Sequence, residues 1–263
     1  MKKYYKKIYI AVIVLIGLSI CFQLFCIAKN AAVSTGAKVV NWGVFYTENG
    51  KKPRGNSSEE YLKQFNTYFV ASTEEKVLYL TFDSGYENGY TIKILDILKE
   101  KNVPATFFLT GYYLKTNPDI VKRMVNDGFI VGNHSMTHPD MSGMDMKNFS
   151  NEIQGFEAKY KEVTGSEPPK YYRPPCGIFS ENSLSHAKSL GYKTILWSSA
   201  YLDWDNNNQP SVQSALDTMM PRVHSGAIIL LHSTSKTNSQ MLRQFIKQCH
   251  DNGYTFKSLN ELP

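Results

Sequence analysis

Six polar side chains with the chemistry of acids, bases or metal ligands stand at or just beyond the ends of short apolar runs. Asp83 lies in Thr81-Phe82-Asp83-Ser84-Gly85, His134 and His138 in Asn133-His134-Ser135-Met136-Thr137-His138, and Arg173 in Arg173-Pro174-Pro175-Cys176-Gly177. Asp203 precedes Trp204, and His232 ends Leu230-Leu231-His232-Ser233. Two histidines four residues apart share a face on a helical turn and can hold one divalent cation through their imidazole nitrogens. Alone, such a pair equally serves as caps or surface residues, and it becomes a metal site when Asp83 and His232 share its surroundings. Asp83 alone reads as a helix cap or half of an ion pair. Next to Arg173 it reads as a carboxylate kept ionised and oriented, suited to taking a proton from water. His232 would then protonate the leaving group. Its alternative is a satisfied core histidine, and Asp203 could equally belong to a loop turn.

Such residues converge only if the apolar runs before them lie side by side. The runs at 77–82, 105–109, 129–131, 171–173, 194–197, 227–231 and 254–256 read as seven short strands. Helical patterns lie between them at about 89–101, 117–127, 145–164, 180–190, 211–222 and 238–251, several closed by Gly128, Gly165, Gly191 and Gly253. This alternation predicts an α/β chain folded as a distorted (β/α) barrel of about seven strands, whose function sits at the C-terminal strand ends.

Ahead of the barrel, residues 8–28 form an uncharged apolar run preceded by Lys2, Lys3, Lys6 and Lys7. The run is long enough to cross a bilayer, and the lysines place the N-terminus inside and the remainder outside. Residues 1–30 therefore read as a signal-anchor or a signal peptide, 31–76 as a linker and N-terminal extension, and 77–263 as the catalytic domain, membrane-anchored or secreted and extracytoplasmic. Four of the six net positive charges belong to those lysines, so no nucleic-acid footprint remains. Hydrophobic residues at 42% against 20% charged exclude a mainly disordered chain. Cys21 and Cys26 fall within the apolar run; Cys176 and Cys249 could pair, although their spacing matches no disulfide framework or metal motif.

Taken in order, these segments resemble the polysaccharide deacetylases of the NodB-homology family, carbohydrate esterase family 4, from about Trp42 to the C-terminus. Thr81-Phe82-Asp83-Ser84-Gly85 is similar to that family's TFDDG, His134-Ser135-x-x-His138 to its H(S/T)xxH and Arg173-Pro174-Pro175 to its RxP, while Asp203-Trp204 and Leu231-His232 match its fourth and fifth motifs. The longer text 79–91, the run Arg173-Pro-Pro-Cys-Gly-Ile-Phe-Ser180 and the upstream Trp42-Gly43 resemble the PdaA-type, delta-lactam-biosynthetic branch.

The resemblance implies Asp83 as catalytic base, His232 as general acid, Arg173 orienting Asp83, Asp203 tuning His232, and His134 and His138 as ligands of a divalent metal, zinc or another transition metal. The backbone N–H of Cys176 is a candidate oxyanion donor. Ser84 stands where most members have the aspartate that completes the metal triad, so it is a weak third ligand at best, and members of the muramic branch carry a neutral Asn there. The implied activity is de-N-acetylation of N-acetylmuramic acid in peptidoglycan glycan strands, leading to the muramic delta-lactam of spore cortex. The alternatives are an N-acetylglucosamine or chitin-type deacetylase and an inactive wall-glycan-binding protein.

Overall fold

In the computed structural model, which describes residues 38–263, the apolar runs become strands buried on both faces. In chain order the strands are β1 (Val40–Asn41), β2 (Val44–Phe45), β3 (Arg54–Gly55), β4 (Thr67–Tyr68), β5 (Val77–Ser84), β6 (Ala105–Leu109), β7 (Ile130–Asn133), β8 (Tyr171–Tyr172), β9 (Ile178–Phe179), β10 (Lys193–Ile195), β11 (Ala227–His232) and β12 (Thr255–Phe256). The helices are α1 (Glu59–Lys63), α2 (Thr91–Lys101), α3 (Gly111–Thr116), α4 (Pro118–Asn126), α5 (Met146–Thr164), α6 (Glu181–Ser189), α7 (Val212–Met219) and α8 (Lys236–Asp251).

A parallel sheet runs β11-β5-β6-β7-β8-β10-β4, with β12 added at the start of β5. Two isolated bridges, Val70↔Ala227 and Ser199↔Ile229, bring the far end of the sheet back to β11 and curl it into a distorted barrel. Near-continuous apolar sequence in the strands is what a parallel sheet covered on both faces requires. The strand period of two then divides the side chains. Leu78, Leu80 and Phe82 of β5 pack with Phe107, Leu109, Ile229 and Leu231 under the helices. Val77 and Tyr79 pack with Phe108, Tyr171, Ile195 and Ile228 inside the barrel.

Local signals set the helices. Asp145 caps α5 by accepting from the Asn148 N–H, and Gly165 ends it at φ 76°, a conformation that favours a residue without a Cβ. Phe149, Ile153, Phe156 and Tyr160 form its buried stripe. Ser235 caps α8 three residues beyond β11, so the start of that helix stands directly over His232.

One expectation changes. The folded unit begins at Val39 rather than at residue 77, because β4 pairs with β10 and β1 pairs antiparallel with β9. These strands are two residues each, too short to show a period in the sequence. The apolar run at 8–28 lies outside the described residues, and among the described residues no helix is long and apolar enough to cross a membrane.

Candidate active site

The alternation inside the barrel selects which side chains meet. Asp83 continues the inward series of Val77, Tyr79 and Thr81, and the register of β11 against β5 places His232 directly opposite it. Arg173 follows Tyr171 into the same interior and is fully buried. Its Nη1 donates to Asp83 Oδ1 at 2.7 Å, its Nη2 to Thr81 Oγ1 at 2.9 Å, and its Nε to the Ile195 carbonyl at 2.9 Å. The guanidinium lies 4.2 Å from the centre of the Phe108 ring. Burial would push the Asp83 carboxyl up, but the charge of Arg173 and its hydrogen bond, with His232 adding to them, outweigh it and hold the group below its usual 3.8.

His232 is organised from the other side. Its Nδ1 lies 2.7 Å from Asp203 Oδ1, while Asp203 Oδ2 accepts from the His232 backbone N–H at 2.8 Å and from Asn238 Nδ2 at 2.6 Å. Burial opposes a charged imidazole here, yet Asp203 prevails and raises the His232 pKa above 6.5. Asn238 carried no signal in the sequence. It reaches Asp203 because α8 starts beside the loop after β11.

His134 and His138 do converge, but not on a helical turn. Residues 134–138 form an irregular loop in which Ser135 (φ 68°) and His138 (φ 59°) are left-handed. That conformation costs non-glycine residues on the order of 1 kcal/mol each, offset by bonds from Ser135 N to Asn133 Oδ1, from His138 N to Ser135 Oγ, and from Thr137 N and Oγ1 to the Glu152 carboxylate. The two Nε2 atoms come within 3.2 Å of each other. His134 Nδ1 faces the Arg173 carbonyl at 2.8 Å and must donate to it, which leaves Nε2 with a free lone pair. Burial lowers the His134 pKa to about 4 and also lowers that of His138, so both are neutral near pH 7.

Two nitrogens bound to one tetrahedral cation at about 2.0–2.1 Å lie roughly 3.3 Å apart. The histidine pair therefore fits a divalent metal. Ser84 does not join it. One residue beyond Asp83, it falls on the opposite face of β5, fully buried, and its hydroxyl pairs with that of Ser233 at 2.6 Å. Among the described residues no group of three His, Cys, Asp or Glu side chains forms a metal cluster, so any further ligands would have to come from water or substrate.

These groups open into a cleft of about 1130 Å³ lined by Asp83, His134, His138 and His232 together with Tyr86, Tyr112, Trp197 and Trp204. Tyr112 and Trp204 are about 60% exposed, enough to offer ring faces to a ligand. Cys176 sits at the cleft edge at φ 55°, and Cys176 and Cys249 are both free thiols.

Comparison with known proteins identifies the family. Residues 71–195 match the polysaccharide deacetylase family model. The chain is 40% identical to the peptidoglycan-N-acetylmuramic acid deacetylase PdaA of Bacillus subtilis over 93% of this chain and 94% of that protein. The chain belongs to the polysaccharide deacetylase family. To an uncharacterized 30.6 kDa protein of Geobacillus stearothermophilus this polysaccharide deacetylase is 46% identical over 92% of its length and 91% of the other's. The solved structure of Bacillus subtilis PdaA, a family 4 carbohydrate esterase, aligns with a TM-score of 0.82 at 41% identity, covering 86% of this chain and 97% of that one. As a polysaccharide deacetylase of carbohydrate esterase family 4 the protein is a hydrolase.

Proposed function

We propose that this deacetylase removes the N-acetyl group of N-acetylmuramic acid in peptidoglycan glycan strands, as the first step towards the muramic delta-lactam of spore cortex. The observation that carries the chemistry is the flanking of one histidine pair by a carboxylate held by Arg173 and an imidazole whose charged form Asp203 favours. Near-full-length similarity to PdaA supports the choice of sugar.

The acetamide is a poor electrophile, so the site must supply both nucleophile and leaving-group proton. Asp83 Oδ1 is occupied by Arg173, and its Oδ2 lies 3.6 Å from His134 Nε2 at the cleft. That second oxygen takes a proton from water as the water oxygen bonds to the acetyl carbon. A depressed pKa makes Asp83 a weak base, and its fixed orientation compensates through proximity. His134 and His138 would hold a divalent cation, which when bound would supply Lewis-acid polarisation. Negative charge on the former carbonyl oxygen falls near the Cys176 backbone, the candidate N–H donor. His232, charged through Asp203, then protonates the sugar nitrogen; the C–N bond breaks, leaving acetate and a free amine.

The apolar run at 8–28 supports an extracytoplasmic enzyme, anchored or secreted, where wall glycan is within reach. The test is acetate release by the full chain from glycan strands with and without stem peptides, with the products read by mass spectrometry. Deacetylated muramic acid from peptide-free strands, abolished in Asp83→Asn, is expected. Deacetylation confined to N-acetylglucosamine, or full activity in Asp83→Asn, overturns the proposal.

A further inference from the structure

The family model begins at residue 71, yet residues well before it grip two loops of the cleft. Trp42 is nearly buried, and its backbone N–H donates to the Gly177 carbonyl at 2.9 Å while its indole Nε1 donates to the Trp197 carbonyl at 2.9 Å. Its ring packs 4.9 Å from that of Phe69. The fit depends on two glycines. A Cβ at Gly55 would lie 2.3 Å from the Trp42 ring, and one at Gly177 would lie 2.6 Å from the Trp197 ring. Four residues on, Tyr46 Oη accepts from the Ala200 N–H at 3.2 Å. The Arg222 guanidinium stacks 4.5 Å over the Tyr46 ring and donates to the Ala200 carbonyl, so both polar groups of the Ala200 backbone are held. The bond from Gly50 N to the Pro221 carbonyl ties the intervening loop to the same neighbourhood.

Three of the groups gripped in this way belong to the cleft wall. Gly177, Trp197 and Ala200 line the cleft, as does Trp204, and Asp203 lies three residues beyond Ala200 in the same loop. None of residues 39–57 lines it. The segment therefore acts on the site only through the loops it holds.

We propose that residues 39–57 are a positioning element of the active site, with Trp42 and Tyr46 fixing the 174–178 and 197–204 loops so that the glycan-facing wall and the Asp203 support of His232 stand in working position. The activity part of this inference rests on the deacetylase reading above; its structural part does not. A catalytic domain cut back to the family boundary would keep every motif residue and lose the wall.

Tyr46→Phe tests it, because the ring and its stacking on Arg222 remain while the Ala200 N–H loses its acceptor. Tyr61→Phe, which removes a surface phenol bond to Glu181 on α6, serves as the control. Two readouts in the full-length protein are needed: hydrogen exchange of the 197–204 segment, and kcat and KM for acetate release from peptide-free glycan strands. Tyr46→Phe is expected to speed exchange in that segment and to lower kcat/KM about tenfold, the consequence of a half-buried N–H left without its acceptor, while Tyr61→Phe matches the parent in both. Trp42→Phe is expected to follow in the same direction with a larger loss. Unchanged exchange in Tyr46→Phe overturns the inference whatever the substrate proves to be, and so does faster exchange with parental kcat and KM. A parent that releases no acetate from any strand, while exchange in Tyr46→Phe still rises, counts against the deacetylase reading and upholds the structural coupling.

Discussion

Replacing Asp203 by Asn changes one atom's chemistry in a site where three donors meet. In the parent, Oδ1 faces His232 Nδ1, while Oδ2 accepts from the His232 N–H and from Asn238 Nδ2. An asparagine has one acceptor oxygen. If it faces the two fixed donors, its NH₂ points at Nδ1 and forces His232 into the tautomer protonated at Nε2, with no partner for the charged ring. If it faces Nδ1, two buried N–H groups confront an NH₂ and lose their acceptor, at about 1–3 kcal/mol each. The first arrangement is the cheaper. With Asp203's charge gone, the cost of burial still acts on His232, so its pKa moves from above 6.5 to below it. Loss of a charge-assisted hydrogen bond of about 1.5–3 kcal/mol corresponds to roughly one to two pKa units. The acid is then less protonated at pH 7, and kcat should fall by about 10–10² with the alkaline limb displaced to lower pH. The assay is acetate release from peptide-free glycan strands between pH 5 and 9, at saturating substrate, on protein shown by circular dichroism to be folded. An alkaline limb that stays in place, with kcat within threefold of the parent, would refute the assignment of His232 as the acid tuned by Asp203.

Other expectations rest on the same geometry. Arg173→Lys keeps the positive charge but cannot reach Asp83, Thr81 and the Ile195 carbonyl together, so urea unfolding should show a loss of about 2–3 kcal/mol along with a marked fall in kcat. With two protein nitrogens and no charged third ligand, divalent metal should dissociate readily. Chelator is expected to abolish acetate release, added zinc or cobalt to restore it, and His138→Ala to weaken zinc binding at least tenfold by calorimetry.

The sequence disclosed the strand ends clearly, because buried parallel strands leave uninterrupted apolar runs and a polar residue closing such a run stands out. Asp83, Arg173 and His232 were visible for that reason, and the sheet register places them together. The histidine pair was found by its spacing, but for a different geometric cause. The convergence comes from left-handed Ser135 and His138, in a loop pinned locally by Asn133 and, from the following helix, by Glu152, whose part the motif does not show. Ser84 shows the opposite case. The motif alignment sets it beside the metal ligands, whereas strand alternation turns it to the far face to meet Ser233. Residues 39–57 fell within the 31–76 stretch read as a linker and N-terminal extension because polar, glycine-containing sequence with two-residue strands has no period to detect, and their grip on the cleft depends on contacts across more than a hundred positions.

Pairing of β5 with β11 places Asp83 opposite His232, and the hydroxyls that follow them meet across 149 residues of chain. Base and acid thus belong to two chain segments whose union closes a very large loop, among the most expensive contacts for a folding chain to make early. An intermediate holding β5, β6 and β7 with their helices would contain the base and both histidines, yet have no acid. Catalytic competence is then a property of the completed topology, and recovery of activity during refolding should track the slowest folding phase rather than the appearance of helix.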